Sequence, residues 1–210
     1  MAPACVGWNM RLVCAGAAAA LAVACAAGWA DTVGDCGHPI EAPLRSRSDL
    51  VIESRPAGIT VVGTDAETIR VSCTVQHDAD PLDYELRFSG TPGYGRLAIA
   101  GSGPVHNENL EIRIEVPRKT NLRIHTGAGE VKVEAVTGDK DIDLYAGQIM
   151  IDSPSDAAYK NVDASVMIGE VNASAYGVDK GGFFRCFTRT MAEGEYRLRA
   201  HVMTGEIDLQ

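Results

Sequence analysis

The fold of this chain is decided by residues 121–133, which read NLRIHTGAGEVKV. Leu122 and Ile124 alternate with polar residues, a glycine-rich segment follows, and Val131 and Val133 alternate again. Alternation with a period of two indicates a strand with one face in a core and the other in water. Glycine at the centre permits a positive-φ corner or a bulge. The stretch therefore predicts a bent β-unit whose apolar residues lie on its inner side.

The same unit occurs four times in the second half of the chain. Its glycines are 18, 22 and 36 residues apart, and the last interval is twice the first. One such unit cannot bury its own apolar side, so this repeat predicts a solenoid of stacked β-rungs. The predicted corner glycines are Gly129, Gly147, Gly169 and Gly205, and the polar residues that follow them are Glu130, Gln148, Glu170 and Glu206.

The four polar residues after the corner glycines form a predicted surface ladder. If the rungs stack in register, neighbouring members lie about 4.8 Å apart. Carboxylates at that spacing repel each other unless Lys, Arg or a bound cation lies nearby. We interpret the four ladder residues as exposed side chains at the point where the chain leaves each turn. We expect no catalysis there, because nothing in the sequence indicates a cleft.

Period-two alternation also governs the first half of the chain. Residues 69–75, 82–88 and 110–116 alternate apolar and polar side chains. Pro117 ends the last of these runs because proline lacks an amide donor. No stretch after residue 30 shows a convincing helical stripe. We therefore predict an all-β, single-domain β-solenoid or β-roll of stacked short strands.

The first thirty residues differ in composition from the rest. Arg11 is their only charged residue. A basic residue, an apolar run and small residues at Gly28 and Ala30 predict a cleavable signal peptide over residues 1–30. Met10 is a second candidate start, because Met10 followed by Arg11 opens a more typical signal. Residues 31–47 then form a polar leader, and residues 48–210 form the β-repeat domain.

Two other fates of the leading segment stay open. An uncleaved anchor over residues 12–30 is just long enough to span a membrane, although alanine favours insertion weakly. Residues 22–25 read AVAC and resemble a lipoprotein processing site without its large aliphatic residue, which would place an acyl anchor on Cys25. Each of these readings implies export.

Charge and motif content restrict the function further. The chain has 19 Lys and Arg against 28 Asp and Glu, a net charge of −9, and we expect no nucleic-acid binding from it. No CxxC, HExxH, GxSxG or phosphate-binding loop occurs. The acidic run GDKDID at residues 138–143 lacks the glycine and the final glutamate of a calcium loop. We therefore predict no catalytic residue, no metal site and no cofactor.

Three cysteines follow the predicted signal peptide: Cys36, Cys73 and Cys186. In an oxidising compartment one pair could bridge, and the sequence does not choose the pair. Residues 178–193 break the repeat, so the number of rungs there stays open. We interpret their three phenylalanines as a plug at the end of the solenoid, and these are Phe183, Phe184 and Phe187.

Several segments resemble the DUF4097 family of adhesin-like proteins from bacteria. They are residues 57–63 (AGITVVG), 68–71 (TIRV), 110–117 (LEIRIEVP), 121–133 and 194–209. The resemblance covers most of the chain after residue 48, with one departure at Gly58, where the usual acidic residue before the aliphatic is missing. It implies an exported, repetitive β-protein of the cell surface or periplasm, and it supplies no catalytic set.

These observations favour a non-enzymatic exported cell-envelope protein, adhesin-like or structural, in the periplasm, on the outer surface or secreted. Its partner is an unknown surface or envelope component, and it contacts a membrane only through the signal peptide or a lipid anchor. The alternative is a periplasmic envelope-stress sensor or scaffold, which would retain its N-terminal anchor. A third hypothesis, a carbohydrate-active β-helix enzyme, requires a groove with convergent carboxylates.

Overall fold

The computed structural model describes residues 30–55, 57–75, 84–101, 110–152 and 158–210. The predicted signal peptide up to residue 29, the alternative start at Met10 and the lipidation candidate Cys25 lie outside them. Most described residues belong to strands, and the described part of the chain contains no α-helix. Within it, no helix is long and apolar enough to span a membrane. The prediction of an all-β fold is confirmed.

The described strands join into one sheet that does not close on itself. They are β1 (Ala30–Asp35), β2 (Ile40–Pro43), β3 (Asp49–Ser54), β4 (Gly58–Thr64), β5 (Thr68–Val75), β6 (Tyr84–Thr91), β7 (Tyr94–Gly101), β8 (Leu110–Pro117), β9 (Asn121–Glu134), β10 (Lys140–Asp152), β11 (Tyr159–Ala173), β12 (Val178–Thr190) and β13 (Tyr196–Leu209).

The centre of the sheet is a parallel, in-register stack of bent strands. β9 pairs with β10, β10 with β13, and β13 with β11, always in parallel. β3 and β4 together occupy the level beside β9, and β7 and β8 occupy the level beyond it. We call each level a rung, and its two straight parts the first and second legs.

The spatial order of the rungs differs from their order along the chain. β13, the last strand, lies between β10 and β11. The four repeat units have the same apolar pattern, so β10 can bury its inner face against any of them. The repeat therefore predicts that units stack without specifying which unit lies beside which.

The core lies between the two legs of the rungs. In β9, Leu122 and Ile124 are buried on the first leg, and Val131 and Val133 are buried on the second. Ile142 of β10 pairs with Ile124, so apolar side chains form columns along the stack. Burying one such side chain stabilises the fold by about 1.5–3 kcal/mol, and the neighbouring rungs provide that burial.

Antiparallel strands cover both ends of the stack. At one end β6 pairs with β7 and β1 with β6, while β5 pairs with β8 and β2 with β5. At the other end β12 pairs with β11. The interruption of the repeat at residues 178–193 thus consists mainly of β12, a strand that runs in the opposite direction to β11.

A disulfide joins Cys36, after β1, to Cys73 of β5. This bond settles the pairing that the sequence left open. It closes a segment with a sequence separation of 37 residues. In the chain-entropy treatment, a loop of that length stabilises the folded state by about 3–4 kcal/mol.

Candidate functional site

The four predicted corner glycines form one column through the stack. Gly129 pairs with Gly147, Gly147 with Gly205, and Gly205 with Gly169. Their φ angles lie between +126° and +144°. A Cβ atom on Gly205 would lie 1.7 Å from the carbonyl oxygen of Gly147. Glycine is required here for the backbone conformation and also for the close approach of successive rungs.

The rung formed by β3 and β4 turns its corner at Ala57. A Cβ atom on Gly129 would lie 2.2 Å from the carbonyl oxygen of Ala57. Because Ile59 pairs with Val131, Gly58 is in register with the ladder residue Glu130 of the neighbouring rung. The corner of the β3–β4 rung is therefore Ala57, and Gly58 occupies the ladder position where the other rungs carry Glu or Gln.

The predicted surface ladder is assembled in the spatial order Glu130, Gln148, Glu206, Glu170. The Gln148 Nε2 amide donates to Glu206 Oε2 at 3.4 Å, so a neutral side chain separates two carboxylates. Glu206 and Glu170 are adjacent, and Asp179 of β12 lies beside Glu170. The charge of Asp179, more than that of Glu206, raises the pKa of Glu170. Negative charge is therefore concentrated where the ladder reaches β12.

A second outward row crosses the first legs of the rungs. This row contains one residue from each of five successive rungs, and these residues are in register: Glu53, His125, Asp143, His201 and Ser165. His125 Nδ1 lies 3.4 Å from Asp143 Oδ2, and Ser165 Oγ lies 3.0 Å from His201 Nδ1. No group of three or more His, Cys, Asp or Glu residues in the described segments could hold a metal ion.

The outer face also carries a groove of about 430 Å³ at the start of the first legs. We call it the arginine groove and define it by Tyr94, Arg123, Asp141, Arg197 and Arg199. These side chains come from four different rungs, and each is placed by a strand. The arginines are notable in a chain whose net charge is −9.

One carboxylate serves two guanidinium groups in the arginine groove. Asp141 lies 3.3 Å from Nη1 of Arg199 and 3.7 Å from Nε of Arg123. The two arginine side chains are 58% and 60% exposed. A guanidinium group has five N–H donors, so an ion pair with one carboxylate leaves further donors for a ligand.

Hydrogen bonds between rungs fix the rim of the arginine groove. Asn121 Nδ2 donates to Asp49 Oδ1 at 2.9 Å, and the Asp139 amide donates to Asn121 Oδ1 at 3.0 Å. The Arg197 amide donates to Asp139 Oδ1 at 2.8 Å. This chain of hydrogen bonds holds four rungs in register. Tyr94, which is 39% exposed, adds an aromatic ring to the lining of the groove.

Lys140 lies beneath the arginine groove and points into the core, where it is 2% exposed. Its Nζ donates to the carbonyl oxygen of Val136 at 2.8 Å and to the Tyr159 hydroxyl. The ammonium group also lies 4.7 Å from the centre of the Tyr159 ring. Desolvation lowers the pKa of Lys140 to about 7, against a weaker opposing effect of Asp139. Lys140 is not among the predicted site residues, although it has the parity of the inward-facing Ile142.

The three phenylalanines of β12 have different environments. Phe187 is buried and packs on Tyr176, with 5.4 Å between the ring centres, as an end plug requires. Phe183 and Phe184 are 68% and 77% exposed, so the plug interpretation is wrong for them. They lie where β12 turns its corner, next to Gly182 at a φ of +124°.

Comparison with known proteins gives little beyond this geometry. No family model matches the chain, and no curated protein matches it. A solved structure provisionally described as a cell adhesion protein from Clostridium sporogenes is similar at 12% sequence identity, with a TM-score of 0.49. The match covers 81% of this chain and 97% of that one.

Proposed function

We propose that this chain is a non-enzymatic exported cell-envelope protein, adhesin-like or structural, which binds its partner through the outer face of its rungs. We further propose that it belongs to the DUF4097 family and that its stack is a β-solenoid behind a cleavable signal peptide. The observation that carries the binding role is the arginine groove, because its side chains project from strands held in register by hydrogen bonds.

The strands hold the outward-facing residues of the rungs at fixed positions, which favours ligand binding. The backbone of a strand in a packed sheet is ordered before the ligand arrives, so binding has to order only the exposed side chains. Within each outward row, neighbours are separated by the strand spacing of about 4.8 Å. Such rows suit an extended partner with repeating groups, and this geometry supports binding without chemistry.

The chemistry of the arginine groove favours an anionic glycan as partner. Arg123 and Arg199 present planar donor groups, which bind carboxylate or sulfate oxygens in pairs. Asp49 and Asn121 supply acceptors for sugar hydroxyl groups, and Tyr94 supplies an apolar ring face. We propose an acidic polysaccharide of a cell surface as the ligand class.

The disulfide supports export. Disulfides persist in oxidising compartments and are rare in the cytosol of mesophiles. Cys36 and Cys73 both lie beyond the proposed cleavage site after Ala30, so the mature protein retains the bond. A processed N-terminus in the periplasmic, surface or secreted fraction is the expected outcome. Retention in the inner membrane with an intact N-terminus would favour the sensor or scaffold alternative.

Replacing Arg123 and Arg199 together by alanine tests the binding role. We expect the double variant to bind immobilised acidic polysaccharides about tenfold or more weakly, because it loses two charge-assisted contacts. The matched control replaces Arg87 and Arg113, which are exposed and ion-paired elsewhere on the sheet. Both double variants have the same net charge. Equal losses in the two would show non-specific attraction and contradict a role for the groove.

A further inference from the structure

A second pocket lies on the outer face of the first legs, between the arginine groove and the corner. Its volume is about 430 Å³, and we call it the tyrosine pocket. The residues that define it come from the neighbouring strands β9, β10 and β13: His125, Asp143, Tyr145, His201 and Met203. It shares no lining residue with the arginine groove, so it is a separate site.

The tyrosine pocket continues the arginine groove along the same strands. Each of three groove residues is followed two positions later by a pocket residue, and these pairs are Arg123 and His125, Asp141 and Asp143, and Arg199 and His201. Residues two apart on a strand point to the same face. The pocket residues lie two to four positions beyond the arginines, about 7–13 Å along the strands, so one oligosaccharide can reach both sites.

The polar side chains of the tyrosine pocket are held by their neighbours. His125 Nδ1 lies 3.4 Å from Asp143 Oδ2, and Ser165 Oγ lies 3.0 Å from His201 Nδ1. Asp143 pairs across the sheet with both histidines, so it lies between them. A carboxylate accepts several hydrogen bonds, and the contact with His125 therefore leaves Asp143 able to bind the hydroxyl groups of a ligand.

Tyr145 and Met203 supply the apolar part of the pocket. Tyr145 is 63% exposed and follows the buried Leu144, so its ring points outward. Met203 is its neighbour on β13, in the register that pairs Leu144 with Val202. An aromatic ring beside a hydrogen-bonding group suits a sugar, which has an apolar C–H face and polar hydroxyl groups.

The tyrosine pocket and the arginine groove differ in charge. The groove presents the guanidinium groups of Arg123, Arg197 and Arg199. Among the described residues that line the pocket there is no lysine or arginine, and Asp143 is their one carboxylate. An acidic sugar in the pocket would therefore be repelled by Asp143 with no lining cation to offset the repulsion. The pocket favours a neutral sugar.

Given the binding role proposed for the arginine groove, we propose that the tyrosine pocket is a second subsite for the same polysaccharide and binds one of its neutral sugars. The neutral sugar packs on Tyr145 and Met203 and donates hydroxyl hydrogen bonds to Asp143. An acidic sugar of the same chain pairs with Arg123 and Arg199. The ligand class is thereby narrowed to polysaccharides in which acidic and neutral sugars alternate.

Binding to two kinds of acidic polysaccharide tests the second subsite. Hyaluronan and unsulfated chondroitin alternate a uronic acid with a neutral N-acetylated sugar, whereas polygalacturonate and alginate consist of uronic acids alone. The probes are immobilised oligosaccharides of equal length from these four polymers, and the protein is used as its host processes it, at pH 8. We expect it to bind the alternating probes about tenfold more tightly than the uniform ones.

Tyr145→Ala distinguishes the tyrosine pocket from the arginine groove. The variant should bind the alternating probes about tenfold more weakly, because it loses the ring that packs on the neutral sugar. Its weaker binding to the uniform probes should not change, whereas replacing Arg123 and Arg199 together by alanine should weaken both. Phe184→Ala is the matched control, since this ring is 77% exposed on β12, and it should leave all four affinities unchanged.

Asp143→Asn tests the selection by charge. The asparagine retains a hydrogen-bond acceptor and lacks the negative charge, so the uniform probes should bind more tightly. The preference for alternating probes should fall about threefold or more. Asp152→Asn makes the same change in net charge at an exposed position on the second leg of β10, and it should leave the preference unchanged.

Two sets of outcomes would overturn this assignment. If the double arginine variant binds weakly but the unsubstituted protein does not prefer the alternating probes, the arginine groove binds alone and the second subsite is refuted. The same holds if Tyr145→Ala has no effect, or weakens binding to both kinds of probe equally. If the unsubstituted protein binds none of the four probes, or the double arginine variant binds them equally well, the proposed function fails and the second subsite fails with it.

Discussion

Gly147→Ala is expected to lower the free energy of unfolding by about 4 kcal/mol or more. The new Cβ would lie 1.8 Å from the carbonyl oxygen of Gly129 in the next rung, a backbone atom that cannot move alone. The φ angle of +132° adds strain for any residue with a side chain. Relief requires two rungs to separate, which breaks the hydrogen bonds between them. Urea unfolding followed by circular dichroism measures the loss.

Substitutions at two glycines outside the column distinguish the close contact between rungs from backbone strain as causes of this loss. Gly177 has a φ of +68° and Gly93 has no positive φ, and neither would have an atom within 4 Å of an added Cβ. Gly177→Ala should cost about 1–2 kcal/mol from backbone strain alone. Gly93→Ala should change stability by less than about 0.5 kcal/mol. If Gly147→Ala cost no more than Gly177→Ala, the close contact between rungs would be refuted.

Lys140→Met is expected to remove a pH dependence of stability. Burial lowers the pKa of Lys140 from 10.5 to about 7 in the folded chain. Between these two values the unfolded state binds more protons than the folded state, so stability rises with pH. Below pH 7 both states carry the proton, and the cost of burying the charge is fully present. The unsubstituted protein should gain about 2–3 kcal/mol between pH 7 and pH 9.

The methionine variant should lose this gain, because its side chain has a similar volume and no charge. It should also be more stable than the unsubstituted protein at pH 6, where the buried ammonium group is charged. Lys132→Met is the control, since Lys132 is partly exposed and its pKa is raised by Glu134. Parallel pH profiles for Lys140→Met and the unsubstituted protein would show that Lys140 does not carry the effect.

Much of the fold follows from local rules of sequence. The alternation around Ile124 and Val131 predicts strands, because a period of two places alternate side chains on opposite faces. The recurring glycines predict corners, because φ angles near those of Gly129 and Gly205 are strained for other residues. Both rules act within a few residues, so one sequence suffices to apply them.

Other features depend on contacts between distant segments. The position of β13 between β10 and β11 results from a choice among units with the same apolar pattern. The Cys36–Cys73 bond depends on how β1 and β5 are brought together. The arginine groove collects Arg123 and Arg199 from strands that are far apart in the chain. Lys140 is an intermediate case, because its parity predicts an inward position while its charge argues against one.

Cysteine pairs on the surface ladder test the stacking order directly. Gln148 is adjacent to Glu206 in the sheet, while Glu170 is one rung further away, at about 9.6 Å by the strand spacing. In a Cys186→Ser background, Gln148→Cys with Glu206→Cys should oxidise to a disulfide, seen by peptide mass spectrometry. Gln148→Cys with Glu170→Cys should not, because a disulfide needs Cα atoms within about 7 Å. The reverse result would mean that the rungs stack in chain order, and it would contradict the architecture described for this protein.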